Sequence, residues 1–584
     1  MFSRCRAAVY LLALGLLALL SAAPLPGTAQ APVFDRAQVV GAAPAGGGTS
    51  SVRTVVLDAQ GNQYVAGTFN GTVSFGAFSL TSANPVSSSD VDAYVGKLDA
   101  QGTWRWVAPA AGMGRVYIGS VVVDATGNVY VGGSFTSPQL QLGARTLNNS
   151  SNQAEAFVAK LDAQGTWLWA RRAGGTGSDG VSGLALRGPT LYVGGGFGSV
   201  TADFGATVLT NNYTVSDGRT DVFVADMNAA TGAWGSVISA GGPGTDIVLA
   251  MTQDGRGNLY FTGQLSGSFT GTSATFGSTT LTTRTGSSVP FVAKLAPGRG
   301  WRWAAAPDNG FNTRGSGGSN AIVVDGQGQV TVSGSFNSPN LRFGPTSLSA
   351  TGPADLDGNL PGDGFVAQLD STGAWRWARQ SSGSGNDFAS GLSVDGFGNV
   401  TTAVTFRQTA TFGPTTLASN SGQNIAVVQF SPAGTWSWVQ RGVAGSGGIT
   451  VLADNGAGRL YLGGTFINAT ADFGSWGLVG NSSPGNNTTM GTGFLARLSA
   501  PALATTTGRL AAAFSVYPNP ARGEAWVSGL PPRTAVLLLD AVGRRVAAGV
   551  VPMSGPLRLA LPLALPAGVY VVRAAGHSQR LLVQ

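Results

Sequence analysis

The chain has 584 residues, of which 89 are glycine and only 10% are charged. This length exceeds what one hydrophobic core supports, and the composition favours many short strands with tight turns. The formal net charge is +7, but without the basic and acidic residues of the leader and of residues 501–584 the body holds 24 basic and 25 acidic residues. Because this part of the chain has no excess of basic residues to attract phosphate groups, we do not expect it to bind nucleic acid.

The N-terminus has the pattern of a secretory signal peptide over residues 1–29. Two arginines precede the apolar run 7–23, and the small residues that follow predict cleavage between Ala29 and Gln30. The only cysteine precedes this run, so cleavage leaves a mature chain without disulfides. We expect export through the periplasm to a secreted or outer-membrane cell-surface location, with no transmembrane segment in the mature chain.

A repeated segment dominates the middle of the chain. The pattern apolar-apolar-Asp-x-x-Gly-Asn-x-Tyr-x-x-Gly-x-Phe recurs roughly every 60 to 70 residues, a period typical of propellers and arrays. Its seven copies begin at Val56, Val122, Ala185, Gln253, Val323, Ser393 and Leu452. The third copy departs from the pattern, since Leu186, Pro189 and Thr190 replace the expected Asp, Gly and Asn.

Each copy predicts four strands. In the second copy these are residues 120–124, 129–135, 156–162 and 166–170, joined in pairs by Asp-x-x-Gly turns. We interpret the turn aspartates as caps that accept backbone hydrogen bonds; they include Asp58, Asp124, Asp325 and Asp395. A Phe-Gly-x-x-x-Leu segment lies between the two strand pairs and begins at Phe75, Phe204, Phe276, Phe343, Phe412 and Phe473. Leu142 replaces the phenylalanine in the second copy.

The ends of the repeat region predict a closed ring. The last copy has its third strand at 493–498 but no fourth, whereas an extra strand-like segment, 34–42, precedes the first copy. Pairing the two would leave no exposed sheet edge. We therefore predict an all-β fold in which residues 30–500 form a seven-bladed β-propeller closed by the N-terminal strand. A β-solenoid is the alternative.

Residues 34–500 resemble the secreted bacterial β-propeller (SBBP) repeat proteins. The Val-Asp-x-x-Gly-Asn-x-Tyr-x-x-Gly-x-Phe and Phe-Val-Ala-Lys-Leu-Asp strings carry this resemblance. The family implies the fold and says almost nothing about function.

Residues 501–511 have the composition of a linker, and residues 512–584 are similar to the type A C-terminal sorting domain of the type IX secretion system in Bacteroidota. The matching positions are Tyr517, Pro518, Asn519, Pro520, Gly543, Gly568 and Tyr570. The resemblance implies a small immunoglobulin-like β-sandwich that engages the type IX secretion machinery and is usually cleaved afterwards. Gln584 stands where many members end in a basic residue.

The propeller sequence offers little catalytic chemistry. It contains no histidine and no cysteine, which removes the usual nucleophile activation and most transition-metal sites. Residues 99–104 resemble the Asp-box turn of sialidases, but no tyrosine nucleophile with an arginine cluster accompanies them. We therefore expect no catalytic residues and no bound organic cofactor, with a secreted propeller enzyme acting on polysaccharide as the alternative.

Calcium is the one ion that the sequence suggests. Asp355, Asp357, Asn359 and Asp363 place oxygen ligands at close intervals in one loop, although the glycine and glutamate of an EF-hand are missing. A solvated loop without metal is the alternative.

Five tryptophan pairs recur in the fourth strands, and their spacing predicts that both rings lie on one strand face. They are Trp104/Trp106, Trp167/Trp169, Trp301/Trp303, Trp375/Trp377 and Trp436/Trp438. We interpret them as packing between neighbouring blades, with a sugar-stacking platform as the alternative. The third copy has Ser236 after Trp234, so its packing should be less complete.

Function is predicted from the connections. The Asp-x-x-Gly turns fall on one face, whereas the long, dissimilar connections rich in Ser, Thr, Asn and Gly fall on the other. The sequence thus favours a binding or adhesion module that takes an extracellular glycan or protein on the long-connection face. A purely structural surface component is the further alternative.

Overall fold

The computed structural model describes residues 31–43, 47–85, 87, 89–149, 151–211, 219–267, 272–283, 287–298, 300–308, 315–356, 358–442, 447–454, 458–467, 470–481, 491–499, 514–540, 545–562, 565–574 and 577–584. All regular elements within these residues are β-strands, and the chain divides into two compact units, Met1–Pro501 and Ala502–Gln584. No helix in the described part of the chain is long and apolar enough to cross a membrane. The predicted signal peptide with Ala29 and Gln30, and the predicted linker 501–511, lie outside the described residues.

The first unit contains the strands of the seven repeats, preceded by one separate strand. The first two repeats and that strand comprise β1 (Val33–Val40), β2 (Gly48–Ser50), β3 (Thr54–Leu57), β4 (Gln63–Phe75), β5 (Phe78–Thr81), β6 (Asp92–Leu98), β7 (Trp104–Ala110), β8 (Val116–Val123), β9 (Val129–Phe135), β10 (Gln139–Leu142), β11 (Arg145–Asn148), β12 (Glu155–Leu161) and β13 (Trp167–Ala173). The next two comprise β14 (Asp179–Arg187), β15 (Thr190–Phe197), β16 (Thr201–Phe204), β17 (Thr207–Thr210), β18 (Asp221–Asn228), β19 (Trp234–Ala240), β20 (Thr245–Gln253), β21 (Leu259–Ser266), β22 (Thr272–Phe276), β23 (Thr279–Thr283), β24 (Ser288–Leu295) and β25 (Trp301–Ala305).

The remaining repeats continue the same order of strands. They comprise β26 (Gly317–Val324), β27 (Val330–Phe336), β28 (Leu341–Phe343), β29 (Thr346–Leu348), β30 (Asp363–Leu369), β31 (Trp375–Gln380), β32 (Ser382–Gly383), β33 (Phe388–Val394), β34 (Val400–Phe412), β35 (Thr415–Phe430), β36 (Trp436–Arg441), β37 (Gly447–Asp454), β38 (Arg459–Phe466), β39 (Thr470–Phe473), β40 (Trp476–Val479) and β41 (Thr492–Ser499).

The described strands of the first unit form seven main antiparallel sheets, one for each repeat. In chain order, sheets 1 to 7 are built on β3-β4-β6-β7, β8-β9-β12-β13, β14-β15-β18-β19, β20-β21-β24-β25, β26-β27-β30-β31, β33-β34-β35-β36 and β37-β38-β41-β1. The first strand of each sheet contacts the first strand of the next, and β37 contacts β3. The contacts therefore follow a closed cycle of small sheets, which have the size and strand order of propeller blades.

The closing strand pairs where the sequence predicts. β1 lies antiparallel to β41, with Phe34 opposite Leu498 and Val39 opposite Phe494. Sheet 7 thereby gains its fourth strand from the opposite end of the repeat region. The side chains reproduce the pattern of the other sheets, since the ring of Phe34 lies 5.1 Å from that of Phe473.

The Asp-x-x-Gly turns are capped as predicted. Asp124 Oδ1 accepts the backbone N–H groups of Thr126 and Asn128, each at 2.9 Å, and Gly127 takes a φ of +84°. The same capping recurs at Asp58, Asp254, Asp325 and Asp395. The third repeat replaces this turn with a two-residue connection between β14 and β15, at Gly188-Pro189.

Each Phe-Gly-x-x-x-Leu segment forms a hairpin, which in repeats 1 and 6 continues the main strands β4, β34 and β35 and elsewhere is a separate two-stranded sheet. β16 pairs with β17, and the turn glycine Gly205 has a φ of +72°. The phenylalanine packs on the first tryptophan of its own sheet, as the 5.4 Å between the rings of Phe204 and Trp234 shows. The even strand count keeps the two kinds of connection on opposite ends of each sheet, here named the short-turn face and the long-connection face.

The prediction that both tryptophan rings share one strand face is wrong. A β-bulge separates each pair, so Trp104 stands opposite Leu98 but Trp106 stands opposite the preceding residue, Lys97. Trp104 consequently packs on Phe75 of its own sheet, and Trp106 joins the hydrophobic core between sheets 1 and 2. The interpretation of these residues as packing between neighbouring sheets is confirmed for the second ring.

The second unit is built from β42 (Ser515–Arg522), β43 (Glu524–Ser528), β44 (Ala535–Leu539), β45 (Arg545–Val550), β46 (Leu557–Ala560), β47 (Gly568–Ala574) and β48 (His577–Val583). β42 pairs with β43 through its first half and with β48, in parallel, at Ala521. A buried core of its own includes Val527, Leu538, Val572 and Leu581. This unit is therefore a small all-β domain with its own hydrophobic core.

Candidate binding site on the long-connection face

Adjacent sheets meet through a repeated hydrogen bond on the long-connection face. The residue that begins a first strand donates its N–H to the carbonyl just ahead of the preceding sheet's third strand, as Asp387 does to Gly362 at 2.7 Å. The same bond links Ser50 to Gly491, Val116 to Val91, Asp179 to Ala154 and Asp246 to Thr220. Each boundary is named here by its two sheets, so Asp387 belongs to junction 5/6.

Carboxyl groups are buried at several of these junctions. At junction 5/6, Asp363 and Asp387 both have 0% exposure. Asp363 accepts hydrogen bonds from the Thr351 backbone N–H and the Gln380 side chain, each at 3.0 Å. Burial raises the pKa of Asp363 to about 7, and burial together with the charge of Asp363 raises the pKa of Asp387 to about 8.

Junction 3/4 repeats this arrangement. Asp221 and Asp246 are buried there, and burial together with the charge of Asp221 raises the pKa of Asp246 to about 7. At junction 2/3, Glu155 forms an ion pair of 2.6 Å with Arg172. Because these carboxyl groups are buried, the hydrogen bonds and ion pair that they form anchor connections within and between the sheets.

An exposed cavity lies near junction 5/6. It has a volume of about 310 Å³ and is bounded by first strands β20, β26 and β33 and by nearby connections. Leu249 and Phe388 line it, and each is 39% exposed. This region is here named the inner-strand cavity.

Amides supply most of the polar lining of the inner-strand cavity. Asn337 Oδ1 accepts the Ser316 N–H at 2.6 Å, and Asn386 Oδ1 accepts the Gly362 N–H at 2.7 Å. Each oxygen thus accepts one backbone N–H, and both side chains keep their amide N–H donors for a ligand. Asn320 also lines the cavity, and the described lining carries no charged side chain. An aromatic ring beside neutral amides suits a neutral polar ligand.

The predicted calcium residues have separate surroundings. Asp355 caps an exposed turn, since its Oδ1 accepts the Asn359 N–H at 2.8 Å, whereas Asp363 is buried at junction 5/6. Asp357 lies outside the described residues. The described part of the chain holds no group of three or more His, Cys, Asp or Glu side chains arranged for a metal ion. Calcium binding stays a prediction.

The Asp-box-like segment is a hairpin turn. Asp99 Oδ1 accepts the Thr103 N–H at 2.8 Å, and Asp99 Oδ2 pairs with Arg105 at 2.5 Å. The carboxylate is thus used within its own turn, like those of the other Asp-x-x-Gly turns.

The sorting-motif residues lie mainly in β42 and β47 of the second unit. Asn519 donates to the Arg580 carbonyl at 2.9 Å and accepts the Leu582 N–H at 2.8 Å, which ties β42 to β48. The Tyr570 hydroxyl donates to the Pro566 carbonyl at 2.8 Å. Tyr517, Pro518 and Pro520 are exposed, Gly568 begins β47, and Gly543 lies outside the described residues.

Sequence reasoning missed the inner-strand cavity. Leu249 and Asn320 occupy β-bulges, where the register of the first strand slips against the second. A bulge reverses the alternation of side chains, so periodicity does not reveal which residues face the cavity. The one available signal is Phe388, a large apolar side chain directly after an aspartate at a strand start.

Comparisons with known proteins identify no family. No protein-family model and no curated protein matches the chain. A solved structure of unknown function from Dyadobacter fermentans DSM 18053 is 11% identical, with 81% of this chain and 100% of that chain covered and a TM-score of 0.37. A quinohemoprotein alcohol dehydrogenase from Pseudomonas putida HK5 is 11% identical, with 81% of this chain and 79% of that chain covered and a TM-score of 0.35. PorZ, a surface component of the type IX secretion system of Porphyromonas gingivalis, is 11% identical, with 94% of this chain and 100% of that chain covered and a TM-score of 0.13.

Proposed function

We propose that the first unit is a seven-bladed β-propeller that acts as a non-enzymatic extracellular binding module for a neutral glycan. The inner-strand cavity carries this proposal, because it places the exposed ring of Phe388 among uncharged amides. Aromatic faces and amide donors are the groups that bind the apolar and hydroxyl surfaces of sugars. The long connections on the same face extend the surface available to such a ligand.

The proposal of a non-enzymatic role rests on the buried carboxyl groups. The aspartates whose pKa rises to about 7 or 8 have at most 2% exposure. A general acid acts within hydrogen-bond reach of its substrate, and the burial of these carboxyl groups supports a structural role for them instead. Full activity against polysaccharides that disappears in Asp387→Asn, with the fold retained, would overturn this part of the proposal.

Binding is tested with two phenylalanine variants of the full-length chain. Phe388→Ala removes the exposed ring from the inner-strand cavity, and we expect glycan-array signals to fall at least about tenfold. Phe397→Ala is the matched control, because Phe397 is 48% exposed in a turn capped by Asp395 on the short-turn face. Equal signals from both variants would place the ligand elsewhere.

A loop exchange tests whether the connections contribute. Replacing residues 353–361 with a Gly-Ser linker spares Thr351 and Asp363, whose hydrogen bond holds the base of this connection. We expect weaker glycan capture and a loss of stability of only about 0.5–1 kcal/mol, from removal of the Asp355 turn cap. The control exchange at the turn of Asp124 should lower stability without changing capture.

We further propose that the signal peptide and the second unit direct export through the type IX route. The second unit has its own core, and the sorting-domain resemblance assigns it an immunoglobulin-like sandwich. Deleting residues 512–584 should leave the protein in the periplasm with the melting temperature of its first unit unchanged. Normal amounts of the truncated protein outside the cell would refute the sorting role.

A further inference from the structure

The buried carboxyl groups of junctions 2/3 and 5/6 occupy equivalent positions. Glu155 and Asp363 begin β12 and β30, the third strands of sheets 2 and 5. Asp179 and Asp387 donate the backbone N–H that links each of these sheets to the next one. All four side chains have at most 3% exposure. Because a buried carboxylate is costly unless it is paired and hydrogen-bonded, each junction must compensate for two such groups.

Junction 2/3 compensates for both groups with its own residues. Glu155 forms its ion pair with Arg172, as described above. Asp179 Oδ2 accepts the Gly175 N–H at 2.8 Å and the Ser199 hydroxyl at 2.6 Å, and its Oδ1 accepts a backbone N–H. This pair of carboxyl groups therefore has a cation beside the first group and hydrogen-bond donors on both oxygens of the second.

Junction 5/6 lacks the cation. Gln380 follows the second tryptophan of its sheet by three residues, as Arg172 does, and it donates a side-chain N–H to Asp363 Oδ2. Thr351 adds its N–H and its hydroxyl, so Asp363 has the donors that stabilise an ionised carboxylate. Among the described residues, no basic side chain forms an ion pair with Asp363 or Asp387.

The second carboxyl group of junction 5/6 has an oxygen without a partner. Asp387 Oδ1 accepts the Arg407 N–H at 3.4 Å, but Oδ2 has no hydrogen-bond partner in the described structure. An ionised Oδ2 thus lacks a donor, and a proton on Oδ2 would lack an acceptor. This oxygen faces Gly383, where an added Cβ would stand 3.3 Å from it. The Gly383 carbonyl accepts the Thr351 hydroxyl, which also lies 3.0 Å from Asp363 Oδ2.

We propose that Asp363 and Asp387 hold a calcium ion, which supplies the positive charge that Arg172 supplies at junction 2/3. Two carboxylates neutralise one divalent ion, and carboxylate and carbonyl oxygens are the ligands that calcium takes in proteins. Asp355 and Asn359, which the sequence assigned to a calcium loop, take no part in this site. The ion stabilises a junction, so the proposal does not depend on glycan binding.

The probe for this site is calcium chloride, added to the full-length chain at about pH 9. This pH lies above the pKa of about 8 that burial and the charge of Asp363 give to Asp387. Both carboxyl groups are then ionised, and we expect about 10 mM calcium to raise the melting temperature by about 2 °C over that in a chelator. Magnesium should raise it less, because magnesium gives up its bound water reluctantly.

Three variants locate the effect of calcium. Asp387→Asn removes one of the two charges and should abolish the rise in melting temperature. Gln380→Arg introduces the cation of junction 2/3 and should also abolish the rise. Asp355→Ala is the matched control, because it removes an aspartate from the exposed turn of the same connection and should keep the full rise.

The same measurements can overturn the proposal. If calcium does not raise the melting temperature of the unaltered chain, a proton or a water molecule satisfies Asp387 and no calcium site exists. An unchanged rise in Asp387→Asn or in Gln380→Arg places the calcium elsewhere. Loss of the rise in Asp355→Ala assigns calcium to the exposed loop and equally contradicts a site at junction 5/6.

Discussion

Junctions 5/6 and 7/1 use different side chains at equivalent backbone positions. At 5/6, Trp377 lies against Gly434 and the aspartates Asp363 and Asp387 are buried beneath the long-connection face. At 7/1, where the two ends of the repeat region meet, Arg36 lies against Gly102 instead. Thr492 and Ser50 replace the two aspartates.

At the closing junction a buried serine stands where junction 5/6 has a buried carboxyl group. Ser50 Oγ donates to the Val40 carbonyl at 2.6 Å and accepts the Gly493 N–H at 2.9 Å. Backbone hydrogen bonds and buried apolar side chains are common to both junctions, whereas the fully buried pair of carboxyl groups belongs to junction 5/6. The comparison shows that backbone hydrogen bonds hold neighbouring sheets together at both junctions. The side chains determine how much each junction contributes to stability and whether that contribution depends on pH.

The largest effect should come from removing the closing strand. Deleting residues 30–44 leaves one edge of β41 unpaired and exposes Phe473, whose ring packs against those of Phe34 and Phe494. We expect loss of most of the about 5–15 kcal/mol that a folded domain typically has, together with aggregation. A cooperative melt at the original temperature in calorimetry would contradict closure by β1.

The next effect compares one position at the two junctions. Trp377→Ala should lower the free energy of unfolding by about 3–5 kcal/mol, because the indole is 5% exposed and its removal leaves a cavity. Arg36→Ala should cost under about 1 kcal/mol, since this half-exposed side chain can be replaced by water. Urea denaturation of both variants measures the difference. Equal losses of unfolding free energy would mean that the two junctions contribute equally to stability, contrary to this prediction.

A third prediction concerns pH. The pKa of Asp387 is raised from 3.8 to about 8, so the folded chain binds more protons than the unfolded chain between these values. Stability should therefore fall as pH rises from about 4 to about 8, by up to about 1.4 kcal/mol per pH unit for this group.

The test of this pH dependence is Asp387→Asn, which keeps the shape and removes the charge. Its stability should exceed that of the unaltered chain at about pH 9, with a flatter profile in urea titrations. Ser50→Ala at junction 7/1 is the control and should lower stability by about 1 kcal/mol at every pH. Parallel profiles for Asp387→Asn and the unaltered chain would rule out Asp387 as the source.

The smallest effect belongs to the connection that leads into junction 5/6. Asp355→Ala removes an exposed turn cap and should cost about 0.5–1 kcal/mol. Thermal melts with and without about 1 mM calcium, the range of extracellular calcium sites, separate a cap from a cation ligand. If Asp355 is only a turn cap, its removal lowers the melting temperature equally in both conditions. If Asp355 binds calcium, the melting temperature falls more when calcium is present.

Much of this architecture is readable from local sequence. The turns at Asp58 and Asp124, the hairpin after Phe204 and the pairing of residues 34–42 with the last repeat all appear where the residues predict them. These features depend on short-range chemistry or on counting strands. Local sequence patterns specify the turns and the hairpin. The missing fourth strand of the last repeat and the extra strand before the first repeat together specify the pairing.

Tertiary structure decided where the tryptophan rings and the buried carboxyl groups lie and how the inner-strand cavity forms. A β-bulge moved Trp106 off the face of Trp104, and the packing of sheets buried Asp363, which the sequence assigned to a loop, next to Asp387. The sequence alone determined the repeats, their turns and the closing segment. Which side chains face a cavity or become buried depends on contacts between sheets, and no local periodicity encodes those contacts.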